Sequence, residues 1–209
     1  MKDRVVVVGG GGHARVILDI LSDAADLEIA GFTSMDRQPE TLWGYRCLGG
    51  DEVLDGLLTS GVRHGLVAVG SNRRRSECLQ LLREKGFRLV NAISRAAFIS
   101  AHAKLGLSVA LMPGAVVNAG AQLDDGVIVN TNASVDHDCV VGPCAHIGPG
   151  VSLAGGVRVG EGAFVGAGST VVPNIEIGAW ATIGAGSLVI RNVADGALVM
   201  GVPAKLRRT

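Results

Sequence analysis

Aromatic side chains are scarce in this chain. Phe, Tyr and Trp supply 3% of its 209 residues, although hydrophobic residues as a whole reach 48%. Val, Ile, Leu and Ala must therefore fill whatever core it has. A surplus of either charge is also missing: 19 basic and 19 acidic side chains cancel. That removes the general electrostatic case for nucleic acid or an anionic membrane as a partner. No stretch reaches the 18 or so apolar residues of a membrane span. The opening MKDRVVVVGGGGHARV lacks the apolar region of a signal peptide, which points to the cytoplasm. The four cysteines (Cys47, Cys78, Cys139, Cys144) form no CxxC pair, so free thiols are expected and a zinc site is not. Glycine, by contrast, is abundant at 31 residues. Frequent corners joining short aliphatic segments account for that pairing of much glycine with few aromatics.

The corners follow a period of six. Stepping by six from Ile93 gives Ile99, Leu105, Leu111, Val117, Leu123, Val129, Val135, Val141, Ile147, Leu153, Val159, Val165, Val171, Ile177, Ile183 and Val189, every one aliphatic. A second series, four residues behind, runs from Ala97 to Val193 and is nearly all small or β-branched. Period six fits neither a helix at 3.6 nor a continuous strand at 2. It fits short strands meeting at corners, three to a coil, with one large residue pointing inward on each face. Residues eighteen apart then stack, and the coils form a parallel β-helix over 93–209, including a C-terminal tail.

Residues 1–92 read as a small Rossmann-like α/β domain. Val5–Val8, Leu27–Phe32 and Leu66–Val69 are candidate strands, and Ala14–Leu21 and Ser76–Glu84 candidate helices. Gly9, Gly11 and Ala14 make a GxGxxA turn between the first strand and the first helix, a setting suited to phosphate. No acidic residue stands clearly where NAD ribose would be held; Asp36 is the nearest. A nucleotide-sugar is therefore favoured over NAD. The segment GSNRRR follows the third strand, and Ser71, Asn72, Arg73 and Arg75 are candidates to meet phosphate there, against the alternative of a solvated helix start.

One hexad breaks the monotony of the repeat. In Val135-Asp136-His137-Asp138-Cys139-Val140, the first and fifth residues take the inward positions and leave His137 exposed near a corner. A histidine between two carboxylates gains proton affinity and an orienting partner, which suits a general base; either Asp136 or Asp138 can orient it. Gly155 lies eighteen residues on and stacks beside His137, where its N–H suits an oxyanion. His146 is nine residues from His137, half a coil away, so the two share a site more readily across a subunit interface. His102, His137 and His146 are spaced by 35 and then nine, which does not match the three-histidine zinc sites of some β-helix carbonic anhydrases, and no metal is expected.

The segments GGGGHARV, VNTNASVDHDCVVGPCAHIGPGVSLAGGVRVGEGAFVGAGSTV and GVPAKLRR resemble the bacterial sugar-nucleotide N-acetyltransferases of the bacillosamine and perosamine pathways, a group that also takes in sialic acid O-acetyltransferase-like proteins. The resemblance implies a left-handed coil and a homotrimer, with acetyl-CoA along the groove between subunits and the nucleotide-sugar held mainly by the N-terminal domain. It implies His137 as catalytic base with Asp138 as its acidic neighbour, Gly155 as backbone donor, and His146 near the acetyl group. Asn130 matches a residue near the sugar, and Gly11, Gly12 and His13 the nucleotide loop, with Asp36 and Arg37 as its second contact point. Ala167 and Ala185 match small positions beside coenzyme A, and Lys205 lies near its phosphates. The implied reaction is N-acetylation of a nucleotide-linked 4-amino-4,6-dideoxysugar. O-acetylation of a sialic acid or related sugar is the rival activity, and a non-catalytic sugar-nucleotide-binding β-helix the rival class.

Overall fold

The computed structural model describes residues 2–36 and 38–207, so Arg37 lies outside the described residues. The chain forms two compact units, Met1–Ile93 and Ser94–Thr209.

In the first unit, β1 (Asp3–Val8) enters α1 (Gly12–Ser22), followed by β2 (Leu27–Thr33) and a hairpin of β3 (Thr41–Leu42) and β4 (Tyr45–Arg46). Then come α2 (Leu54–Thr59), β5 (His64–Val67), α3 (Asn72–Glu84) and β6 (Arg88–Leu89). The four longer-range strands pair in the order β2-β1-β5-β6, all parallel. Val5 to Val8 are fully or almost fully buried, as a central parallel strand covered on both faces requires. The chain leaves β1 towards β2 on one side and later returns to β5 on the other. That reversal opens a crevice beyond the strands' carboxyl ends, where ligands of open α/β sheets gather. The sequence pattern did not mark α2, the hairpin or β6, which are two to six residues long and carry no periodicity of their own.

The second unit is a parallel β-helix. Its strands are two residues long and stack in register with the strand eighteen positions later: Val117 on Val135, Val135 on Leu153, Leu153 on Val171. The large aliphatic series and the small series together make one continuous core, with Ala115, Ala121, Ala133, Cys139 and Ala145 all at 0% exposure. A third series of period six governs the corners. From Ser108 through Gly120, Asn132, Asp138, Gly156 and Asn174 to Gly186, every sixth residue has positive φ. Glycine takes most of these positions because it tolerates left-handed backbone, and Asn and Asp follow it in tolerance. The period slips once. Val193 bridges Ile177 and Val199 pairs with Ile183, each two short of eighteen. Val193 thus takes a place in the large series rather than closing the small one, because the connection through Arg191 and Asn192 is short.

Candidate active site and nucleotide loop

Three successive coils build one corner of the β-helix. The turn at Asp136–Cys139 carries His137, whose ring is 64% exposed. Its Nδ1–H donates to Asp138 Oδ2 at 2.9 Å, which leaves Nε2 as the free basic nitrogen. Asp138 sits in the left-handed corner position, φ +59°, and this turns its carboxylate back towards the histidine of the same turn. Asp136 does a different job: its Oδ1 accepts the His137 backbone N–H at 2.8 Å and the Asn118 side-chain amide at 2.9 Å. The Asp138 hydrogen bond, and then the charge of Asp136, raise the His137 pKa above its ordinary value. The carboxylate of Asp136 is held low by the bonds it accepts from His137 and Asn118. Orientation of the ring therefore belongs to Asp138 and shaping of the turn to Asp136.

Gly155 lies in the next coil, directly against the imidazole. A Cβ there would stand 2.5 Å from both Cε1 and Nε2. Its φ is not positive, so glycine is needed for space alone. Its N–H donates to no acceptor among the described residues, and the residue is buried under the ring, so an oxyanion must reach that N–H past the ring's edge. Cys139 points into the core and donates its thiol to Ala154 O at 3.2 Å, which removes it as a nucleophile.

His146 stands on a different face. It lies half-buried in the ladder that pairs Ile128, His146 and Phe164. The Asn130 amide donates to its Nε2 at 3.0 Å, and the Phe164 ring meets it edge-on at 5.2 Å. Asn130 Oδ1 accepts the Thr131 N–H at 2.8 Å, which fixes the amide so that its NH2 faces the histidine. Ala167 and Ala185 occupy one exposed corner column in successive coils, just beyond this face. Lys205 is exposed on the short strand that returns antiparallel to Leu198–Met200. In one chain, then, His137 with Asp138 and Gly155 forms one group, and His146 with Asn130 forms another.

In the first unit, the four glycines after β1 divide by function. A Cβ on Gly9 (φ +126°) would lie 2.6 Å from Ala68 O, and one on Gly10 would lie 2.8 Å from Ser34 Cβ. The fold needs both. Gly11 and Gly12 open α1 with nothing within 4 Å of where a Cβ would stand, so their backbone is open to a ligand at the helix N-terminus. His13 follows, and burial and then the charge of Arg75 push it down to about 4. Asp36 caps its own loop, accepting from Ser34 Oγ at 2.5 Å and Gln38 N–H at 3.2 Å.

The arginines of GSNRRR do not share one role. Arg75 is 1% exposed, and its guanidinium donates to Val69 O, Gly70 O and Asn72 Oδ1 at 2.8–3.1 Å. It holds the loop after β5 from inside rather than offering itself to phosphate, a correction to its place among the phosphate candidates. The signal was available: Arg75, Cys78, Leu79 and Leu82 share the i, i+3, i+4, i+7 stripe of α3, which starts at Asn72 rather than Ser76. Ser71 occupies the N-cap position of α3 without a side-chain capping bond and is exposed. Arg74, which the sequence did not single out, lines the crevice with Gly9, Gly10, Ser34 and Asp51, and pairs with Asp51 at 2.8 Å.

Residues 4–82 match the PglD N-terminal domain, and residues 138–172 and 156–191 match the bacterial transferase hexapeptide (six repeats). PerB from Caulobacter crescentus, solved with CoA and GDP-perosamine, is 42% identical, with 98% of this chain and 97% of that chain covered and a TM-score of 0.94. The acetyltransferase domain of PglB from Neisseria gonorrhoeae is 35% identical over 99% of this chain and 100% of that chain, also at a TM-score of 0.94. It has been solved with acetyl coenzyme A as well. The chain belongs to the bacterial sugar-nucleotide N-acetyltransferases of the hexapeptide-repeat family, with their N-terminal α/β domain and left-handed parallel β-helix.

Proposed function

We propose that this protein transfers the acetyl group of acetyl-CoA to the amino group of a nucleotide-linked 4-amino-4,6-dideoxysugar. The observation that carries the reading is the His137–Asp138 pair at an exposed corner, with Nε2 unengaged and Gly155 cleared of any side chain beneath it. The sugar amine attacks the thioester carbonyl carbon while His137 Nε2 takes its proton. The Gly155 N–H supports the oxyanion as the tetrahedral centre forms. Collapse breaks the C–S bond, and the coenzyme A thiolate leaves, taking the proton back from the imidazolium. Transfer is direct, with no acyl-enzyme.

His146 and Asn130 serve the acetyl group and the sugar from another face, a division that supports a homotrimer with sites between subunits. Coenzyme A runs past the small corner column of Ala167 and Ala185 towards Lys205. The nucleotide is held by the open backbone of Gly11 and Gly12, with His13, Asp36, Ser71 and Asn72 around it and Arg74 in the crevice; Arg37 stays a candidate on the resemblance alone. We take the cytoplasm as the compartment of the reaction. The test is thiol release from acetyl-CoA with a panel of UDP-, GDP- and dTDP-linked amino sugars. Turnover on an amine that falls at least a hundredfold in His137→Asn is expected, since a general base contributes about 10²–10⁴ in rate. Activity on hydroxyl sugars alone would overturn the reading, and an unimpaired His137→Asn would remove the base.

A further inference from the structure

We propose that Asn118 is a positioning residue for the catalytic turn, acting through Asp136 from the preceding coil. The corner above His137 is Asn118-Ala119-Gly120, eighteen residues before Asp136-His137-Asp138, and it touches both aspartates. Asn118 Nδ2 donates to Asp136 Oδ1 at 2.9 Å, and that same oxygen accepts the His137 backbone N–H at 2.8 Å. Gly120 makes room for the other carboxylate: a Cβ there would lie 2.5 Å from Asp138 Oδ1. Asp138 N–H in turn donates to Ala119 O at 3.1 Å. With Gly155 pressed against the imidazole from the following coil, the base is gripped from both neighbours. Among the described residues, only the Asn118 contact is a side-chain bond from another coil to this turn's carboxylates.

The physical argument is one of turn shape and charge. Asp136 Oδ1 bonded to the next backbone N–H fixes the backbone on which the imidazole is carried. A carboxylate on the surface of a coil is free to rotate into water unless a second donor holds it, and Asn118 is that donor. Its amide is neutral, so it fixes Asp136 without cancelling the charge that favours protonated His137. The groups facing the imidazole are Asp136 and Asp138 on its own turn, Ala119 on the preceding coil and Gly155 on the following one. The two aspartates are thus the charges that set its titration among the described residues, and Asn118 governs where one of them stands. A misplacement of the base by a fraction of an ångström is enough to slow transfer, because positioned groups lose effectiveness steeply with distance.

The inference rests on His137 as base, and the test separates the two. The full-length protein is made as Asn118→Ala, Asp136→Asn and Asp136→Ala. Each is read by the His137 imidazole titration in NMR, by kcat and KM for both substrates across pH, and by thermal melting. Asp136→Asn keeps the acceptor oxygen and removes the charge: kcat on the plateau stays within about threefold, and the imidazole pKa and the acid limb of kcat/KM both move down. Asn118→Ala and Asp136→Ala lose the fixed turn: kcat falls about tenfold, with both KM values within about twofold of wild type. Asn118→Ala with wild-type kcat and wild-type imidazole titration overturns the proposal. So does a loss of kcat in Asn118→Ala that tracks a lowered melting temperature and recovers fully on cooling. The titration is read without substrate, so an imidazole shift in a protein that acetylates no amine would retire the functional reading and leave the positioning intact.

Discussion

Gly155 is glycine for reasons of space, not backbone conformation, and the distinction predicts how it fails. Alanine is compatible with its φ, but the new methyl would sit 2.5 Å from the His137 ring. The ring is mostly exposed and can swing aside, so the fold is hardly strained while the proposed base is displaced. Gly155→Ala is expected to leave the melting temperature within a few degrees and to lower kcat by about a hundredfold, measured by steady-state kinetics beside a thermal melt. Asp138 gives the complementary result. A base must be neutral to accept a proton, and His137 has its pKa raised mainly by Asp138. The wild-type kcat/KM should therefore rise with pH through a point above the ordinary histidine value. Asp138→Asn should shift that limb to lower pH and depress the plateau as well, because Nδ1 loses its charged acceptor; an unmoved limb would deny the pairing its role. Much of this corner could be read from the sequence: a period of eighteen is enough to put Gly155 beside His137. The division of labour between the aspartates could not, because it shows only in which hydrogen bonds each carboxylate makes, although Asp138 falls in the period-six corner series.

At the scale of elements, the junction of the glycine turn with α1 and the loop after β5 is held by buried charge. Arg75 lies within α3's apolar stripe and satisfies two loop carbonyls and the Asn72 side chain, while His13 Nε2 is buried with no partner among the described residues. The result is a histidine whose pKa is about 4 in the fold and 6.5 when exposed. The unfolded chain takes up a proton below pH 6.5 and the folded chain resists it down to about 4. The stability contributed by neutral His13 is thus complete above 6.5 and is lost as pH falls towards 4. The loss is on the order of 3 kcal/mol, at about 1.4 kcal/mol per pKa unit. Urea unfolding of wild type and His13→Gln at pH 7 and pH 4.5 should show a smaller acid penalty in the variant, by roughly that amount. Equal penalties would mean that His13 is solvated in the fold. The strands and helices around this junction were visible as apolar runs. Its buried arginine had a signal too, the stripe shared with Cys78, Leu79 and Leu82, but a helix begun at Ser76 leaves Arg75 outside it.

For the whole molecule, the hexad period fixes more than a core. It sets His137 and His146 on different faces of one coil, nine residues and half a turn apart. The architecture was legible because seventeen aliphatic positions at one spacing admit a single kind of packing. The assembly was less so, because the inward series says nothing about which outer faces meet. A site that draws the base from one subunit and the acetyl-side histidine from its neighbour makes a prediction that a self-contained site does not. His137→Ala and His146→Ala proteins, each feebly active alone, should regain activity when co-expressed and purified as mixed oligomers. In such a mixture some interfaces join an intact His137 from one chain to an intact His146 from the other. Two differently tagged forms, purified through both tags in series and assayed for thiol release, measure the recovery directly. Activity no higher than the mean of the two parents would place both histidines' work within one chain. Recovery would mean that the half-coil offset is bridged by pairing one chain's His137 with another's His146.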